Sequence, residues 1–502
     1  MNLPLIDIVV LIAYFVVVMG IGVFFYKGGQ SRTAAGFTAA SGNMPGWVVG
    51  LSIMATYLSS ISFLALPGRA FADNWNQYVF SLSLPFAIII AARWFVPYYR
   101  RTGEVSAYIH LEERFGTWAR LYAGICYLLT QLARMGMVMF LLALPLNALL
   151  GWSIPLIIVV TGASVILYTM LGGIVAVMWS DAIQAIVLMG GAIVCLGLML
   201  LGIPGGAGEA LTLAVENNKL SLGSFSASLG ESTFWVVLIY GIVINLQNFG
   251  IDQNYVQRYV SARSEEAARR SLWFGGLLYV PVSLLFFVIG TAMFAFYTTQ
   301  PELLPEELHA VEQADRVFPY FIVTQLPAGA SGLLIAAVFA AAMSTISTSL
   351  NSSATLLLTD WYKRFIKPEP SERESMLVLH LATLIWGIMG TGVGLAMMGV
   401  EAALDAWWTL SGIFAGGMLG LFLLGLISRR AGNAAAATGV CIGVLVIIWM
   451  TFSPESSVLP EVLRSPFHSY MIIVIGTLSI LLIGLLVSRW FPTKKPIPES
   501  AE

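Results

Sequence analysis

Residues 337 to 353 read AVFAAAMSTISTSLNSS, and within them Ala341, Ser344, Thr345 and Thr348 stand at i, i+3, i+4 and i+7. That spacing puts the four on one face of a helix, with Ser347 beside them. The stretch lies inside a strongly hydrophobic run and carries no charge. Small hydroxyls in such a place build a weak oxygen cage for a desolvated cation, the chemistry a sodium-coupled transporter needs. Small-residue faces also let membrane helices pack closely, so this stretch alone supports both readings.

The elements that position these residues must be membrane helices. The chain has 502 residues, of which 58% are apolar and 10% charged, whereas a soluble domain carries about 25% charged residues. Apolar runs recur at lengths of about 20 residues, enough to cross a ~30 Å hydrocarbon core. They lack the ~10-residue alternation of barrel strands. A formal net charge of −2 points away from nucleic acid. Cys126, Cys195 and Cys441 stand singly in apolar segments, with no metal spacing. The first apolar stretch has no basic start and runs on to Tyr26, so it reads as a span rather than a cleavable signal.

Thirteen spans are expected, near 3–26, 46–66, 77–99, 119–149, 153–171, 181–203, 233–256, 272–297, 329–360, 375–398, 404–427, 433–452 and 468–489. With the N-terminus outside and the C-terminus inside, the outer loops hold Arg69, Lys219, Arg316 and Arg464, and Arg134 lies within a span. The other twenty of the 25 Lys and Arg, Arg258 among them, fall on the cytoplasmic side. Such a bias supports the count and the orientation. The longest connections, 204–232 and 298–328, both lie outside; the first reads as a surface loop with a short helix. No soluble domain interrupts the array, and the Pro/Lys/Glu-rich tail 490–502 reads as disordered.

Two spans look broken. The second contains ATYLSSISFLALPGRAF, with three serines, a threonine and Pro67-Gly68; Ser and Thr take up backbone groups freed where a membrane helix unwinds. The seventh contains INLQNFGIDQNYVQRY, very polar for membrane depth. The two are five spans apart, and an odd separation gives two five-helix units opposite topology. Interrupted helices at matching places in inverted halves mark a transporter's central site. The competing reading ends the seventh span early and leaves Asp252 and beyond in the cytoplasm.

Arg134 lies about halfway along the fourth span, in YLLTQLARMGMVMFLLAL. An arginine there requires an anionic partner or a wet cavity, and its planar fork suits a carboxylate. That carboxylate belongs either to a solute or to a protein acid.

The segments SGNMPGWVVGLSIMATYLSSISF, EVSAYIHLEERF, YTMLGGIVAVMWSDAIQ, DQNYVQRY and FAAAMSTISTSLNS, in this order, resemble the sodium:solute symporter family over nearly the whole chain, and most of all its bacterial sialic acid branch. The resemblance implies an all-α polytopic membrane protein of the leucine-transporter type. It would form a single transporter domain: an extra helix at 3–26, inverted five-helix repeats at 46–203 and 233–427, and two further helices within 433–489. It implies a first sodium site at Ala55, Leu58, Ala341, Ser344 and Thr345, and a second at Asp181, Ser344, Ser347 and Thr348. Asp181 could instead merely cap a helix N-terminus. For the substrate it implies Arg134 as the carboxylate partner, with Tyr57, Ser59, Ser62 and Ser81 nearby. Ser59 matches the branch and Ser62 replaces a threonine, but Tyr57 stands where the branch has a small hydroxyl residue and Ser81 where it has a glutamine. These departures loosen the tie to sialic acid itself, while a carboxylate-bearing solute stays the expectation ahead of a neutral sugar; the alternative is a sodium-coupled sugar, amino-acid or monocarboxylate symporter.

The expected partners are Na+, one or two per cycle, a small anionic solute and the bilayer of a plasma membrane; no obligatory protein partner is evident. His110, His309, His380 and His468 are scattered, and no acidic motif has metal-binding spacing, which speaks against a membrane enzyme. A passive channel would share the helices but lack coupling.

Overall fold

In the computed structural model, residues 4–310, 313–399, 403–454 and 459–491 are described. The expected tail lies outside them from residue 492 onward. Among the described residues the chain is helical, with no strand beyond one isolated bridge between Met44 and Ala262.

The helices that position the site are α1 (Leu5–Lys27), α2 (Gly46–Tyr57), α3 (Ser60–Ala72), α4 (Asn76–Thr102), α5 (Ile109–Phe115), α6 (Thr117–Leu150) and α7 (Ile154–Gly202). They continue with α8 (Gly206–Glu216), α9 (Phe234–Ile251), α10 (Gln253–Ser261), α11 (Glu265–Thr299), α12 (Ala314–Thr324) and α13 (Ala330–Leu356). Last come α14 (Glu372–Ala396), α15 (Ala403–Ile427), α16 (Asn433–Phe452) and α17 (Met471–Trp490). Among the described residues, ten helices are long and apolar enough to cross a membrane, or eleven when the bent pair α2–α3 counts as one span. That is fewer than the thirteen expected. The expected fifth and sixth spans are one 49-residue helix, α7, and α15 stays outside the count, its Ala415–Ile427 part being a shorter apolar helix.

At 1.5 Å per residue, α7 would run to about 74 Å, more than twice a hydrocarbon core. It is kinked at Gly173, where φ is 52° and ψ −155°. Only glycine suits this point: the backbone is left-handed, and a Cβ would meet the Cα of Phe37 at 2.8 Å. Asp181 follows the kink by two turns, in helical backbone, so it caps no helix.

Both expected interruptions are present. In the first, Leu58 (φ −91°, ψ 108°) and Ser59 (φ −102°, ψ 168°) are extended, and the Ser59 hydroxyl accepts the Ser62 N–H at 3.4 Å to start α3. The two helices meet at a bend of 54°. The break therefore sits at Leu58–Ser59 rather than at Pro67-Gly68. Pro67 lies within α3, where its carbonyl packs on Gly290 of α11, and Gly68 lies against Ala314 of α12. In the second interruption Asp252 (φ −75°, ψ 125°) separates α9 from α10, and its carboxylate accepts the Asn254 N–H at 2.8 Å.

The polar segment after Asp252 is buried within the protein: every residue of α10 is buried. Its amides satisfy backbone that the breaks and loops leave bare. Gln253 accepts from the Ala107 N–H at 2.8 Å and donates to the Val105 carbonyl at 2.7 Å. Gln257 donates to the Thr38 carbonyl and to Thr355, both at 2.8 Å. The carbonyls of Phe249 and Gly250, freed at the end of α9, accept the hydroxyls of Tyr259 (2.8 Å) and Tyr99 (2.9 Å). At the centre of the bundle stands α13, buried on nearly every face and packed against α7.

Candidate functional site

Breaking a helix frees carbonyls. In α2 the final helical bond runs from the Leu58 N–H to the Met54 carbonyl at 3.1 Å, leaving the carbonyls of Ala55, Thr56 and Tyr57 without intrahelical partners. Beside them lies a cavity of about 10 Å³ lined by Met54, Ala55, Leu58, Gln184, Ala341 and Ser344, among others. That is about the space one water-sized particle needs. The structure thus gathers Ala55, Leu58, Ala341 and Ser344 round one small hole, although Ala55 is 285 residues or more from the last two in sequence. Thr345 stands one turn on, and its hydroxyl donates to the Ala341 carbonyl at 3.1 Å. The donor set is neutral oxygen, which fits a hard monovalent cation.

Gln184 is the residue the sequence reading missed. It is 1% exposed, donates to the Tyr14 hydroxyl at 3.0 Å, and its Oε1 has no hydrogen-bond partner among the described residues. The only signal was an amide three residues after Asp181 in an otherwise apolar run.

Next to this cavity, Asp181 is fully buried. Its Oδ1 accepts the Ser344 hydroxyl at 2.6 Å, and its Oδ2 accepts the Ser52 hydroxyl at 2.6 Å. Ser347 donates to the Ser344 carbonyl at 3.1 Å. The second set is therefore also assembled, with one addition. Arg258, expected at the cytoplasmic side, is completely buried and its Nη2 lies 2.8 Å from Asp181 Oδ2 and 2.8 Å from Thr348 Oγ1. Charge bias placed it outside the membrane because a count of basic residues carries no information about a specific buried acid.

Arg134 reaches the first break: its Nη2 donates to the freed Thr56 carbonyl at 3.2 Å. It is half-buried, and among the described residues it belongs to no ion pair. Asp252 carries the carboxyl at the second break. Ser59 and Ser62 share the break, with hydroxyls 3.5 Å apart. Tyr57 is the hub of an aromatic cluster, its ring 4.6 Å from Tyr279, 5.6 Å from Phe249 and 6.3 Å from Phe80. Ser81 is buried and donates to Ser283 at 2.8 Å.

A separate cavity of about 670 Å³ is lined by Arg69, Asn76, Gln77, His468 and Tyr470, among others. Its wall includes Tyr240, stacked on Tyr470 at 4.7 Å and 5.8 Å from Phe80. Elsewhere, Arg120 bridges Asp360 (2.7 Å) and Glu112 (2.8 Å), and Ser106 donates to Asp360 at 2.9 Å. Burial works to raise the Glu112 carboxyl, but hydrogen bonds from Arg120 and Arg364 outweigh it and hold it below its ordinary value.

The model of the sodium:solute symporter family matches residues 37–443. The chain is 32% identical over 487 residues to a sodium/sialic acid symporter of Aliivibrio fischeri, covering 96% of this chain and 93% of that one. It is 31% identical over 496 residues to a sodium/sialic acid symporter of Proteus mirabilis, covering 98% and 96%. A solved structure of a substrate-bound, outward-open Na+-coupled sialic acid symporter superimposes with a TM-score of 0.89 at 30% identity, covering 98% of this chain and 100% of the other. The chain belongs to the sodium:solute symporter family: it is a multi-pass plasma-membrane transporter rather than an enzyme, and Na+ is its co-transported ion.

Proposed function

We propose that this chain imports a carboxylate-bearing solute, with sialic acid as the first candidate, by alternating access between the two broken helices. The carrying observation is Arg134: a guanidinium at mid-helix, joined to a freed backbone carbonyl and, among the described residues, to no carboxylate within ion-pair distance. Such a group retains donors for a bidentate anion. Tyr57, Ser59 and Ser62 stand round the same break, and the bulk of Tyr57 narrows the space beside it. Ser81, tied to Ser283, has the weakest claim to touch the solute.

In this reading Na+ occupies the first site through the carbonyls of Ala55 and Leu58 and oxygens of Ala341, Ser344 and Thr345. A second ion uses Asp181 with Ser344, Ser347 and Thr348. The first ion ties α2 to α13 and favours the outward-facing form, and the solute then permits closure. An ion drives this only by binding the two states differently, and the membrane potential supplies about 2.3 kcal/mol per charge per 100 mV.

Thirteen spans, an outside N-terminus, and inverted repeats at 46–203 and 233–427 belong to the same proposal. The kink at Gly173, which divides α7, and the paired breaks at Leu58–Ser59 and Asp252 support them. The test is uptake into proteoliposomes of sialic acid, short monocarboxylates and neutral sugars under a sodium gradient. Uphill accumulation of a carboxylate that potassium or choline cannot drive is the expected result. Accumulation of sugars alone would overturn the substrate class, and equilibration without accumulation would favour a passive pathway.

A further inference from the structure

Arg258 stands where the second cation set should receive its ion. Its Nη2 donates to both Asp181 Oδ2 and Thr348 Oγ1, its Nε donates to Ser52 Oγ at 2.8 Å, and its Nη1 donates to the Asn254 carbonyl at 2.7 Å. Neither Arg258 nor Asp181 has any exposed side-chain surface. An oxygen lone pair aimed at an N–H is not at the same time aimed at a metal. A sodium ion placed between Asp181 and Thr348 would also stand beside Nη2, and two positive charges about 4 Å apart in a poorly screened interior repel strongly.

We infer that Arg258 is a tethered competitor of the second Na+, a guanidinium that the ion must displace from Asp181 and Thr348. The inference rests on the Asp181 cation set proposed above. It has a mechanical consequence. Arg258 is carried by α10, the half of the broken span that also holds Thr38, Asn351 and Thr355 through Gln257. Filling the second site withdraws a bond that fixes α10 to α7 and α13, so occupancy is reported to the second break. Arg258 is thus a positioning residue for coupling, since it need touch neither solute nor ion.

The experiment is binding of radioactive sodium to the purified full chain, without solute, at ionic strength held constant with choline. Asp181→Asn should remove one binding phase, which identifies the second site. In Arg258→Gln that phase should move to about tenfold lower sodium or further, as when a closed state populated above about 90% is removed. Arg258→Lys, which keeps the charge but cannot span all four partners, should move it the same way by less. It serves if the glutamine variant, with its unpaired buried acid, does not fold. An Asp181-dependent phase that stays in place or moves to higher sodium in a folded variant overturns the competition. A phase pattern that Asp181→Asn leaves unchanged overturns the second site itself, and is distinguishable because the Arg258 variants are then not needed to reach it.

Discussion

The Ser344 hydroxyl donates to Asp181 at 2.6 Å, while Ser344 also lines the small cavity beside the Ala55 and Leu58 segment. One serine is therefore shared by a neutral oxygen set and a charged one. In the two-site proposal their occupancies are coupled, because whatever draws Ser344 Oγ toward one set changes its orientation toward the other.

Ser344→Ala should weaken sodium binding at both sets. Each set loses an oxygen ligand for the ion, so half-saturating sodium should rise. The measurement is uptake rate against sodium concentration. An unchanged curve would remove Ser344 from both sites.

Arg134→Ala should abolish uptake of carboxylates while leaving sodium binding in the absence of solute intact. Arg134→Lys should recover little, because an ammonium lacks the planar fork. Sodium titration alongside uptake separates solute recognition from folding. Full uptake by the alanine variant would reject the role.

Stability should fall in mild acid through His110. This side chain is 1% exposed, on α5 against Tyr98 of α4 and Phe422 of α15. Burial, reinforced by the Arg114 charge, lowers the imidazole from 6.5 to about 4. The unfolded chain then takes up the proton first. The contribution is fully present above 6.5 and is lost as pH falls from 6.5 toward 4. The stake is about 3 kcal/mol. His110→Gln should flatten the fall of the unfolding midpoint across that interval, and an unaltered slope would assign it to other groups.

Gly290→Ala should lower thermal stability by about 1–3 kcal/mol, the range for overpacking. A Cβ at Gly290 would collide with the Pro67 carbonyl and lie 2.7 Å from Ala70, prising α11 from α3. Equal midpoints for the variant and the parent chain would show that these helices part without cost.

Much of the architecture is written in composition and local pattern. Apolar runs separated by charged loops specify membrane helices, because hydrocarbon accepts only backbone that satisfies itself. Ser59 and Asp252 carry their breaks locally, since each supplies the oxygen that caps the next helix. The helix face from Ala341 to Thr348 is likewise legible, because spacing within one helix is fixed by its pitch.

Tertiary structure alone decided the rest. Nothing local to YVQRY says that Arg258 meets an acid 77 residues earlier, and nothing local to Gln184 says that it lines one cavity with Ala55. The sequence by itself determined that helices span a membrane, that two of them break and which oxygens line one face. Only the folded bundle decided which charge neutralises which, because a buried ion pair depends on distances between helices, and these are set by packing rather than by the order of residues along either chain segment.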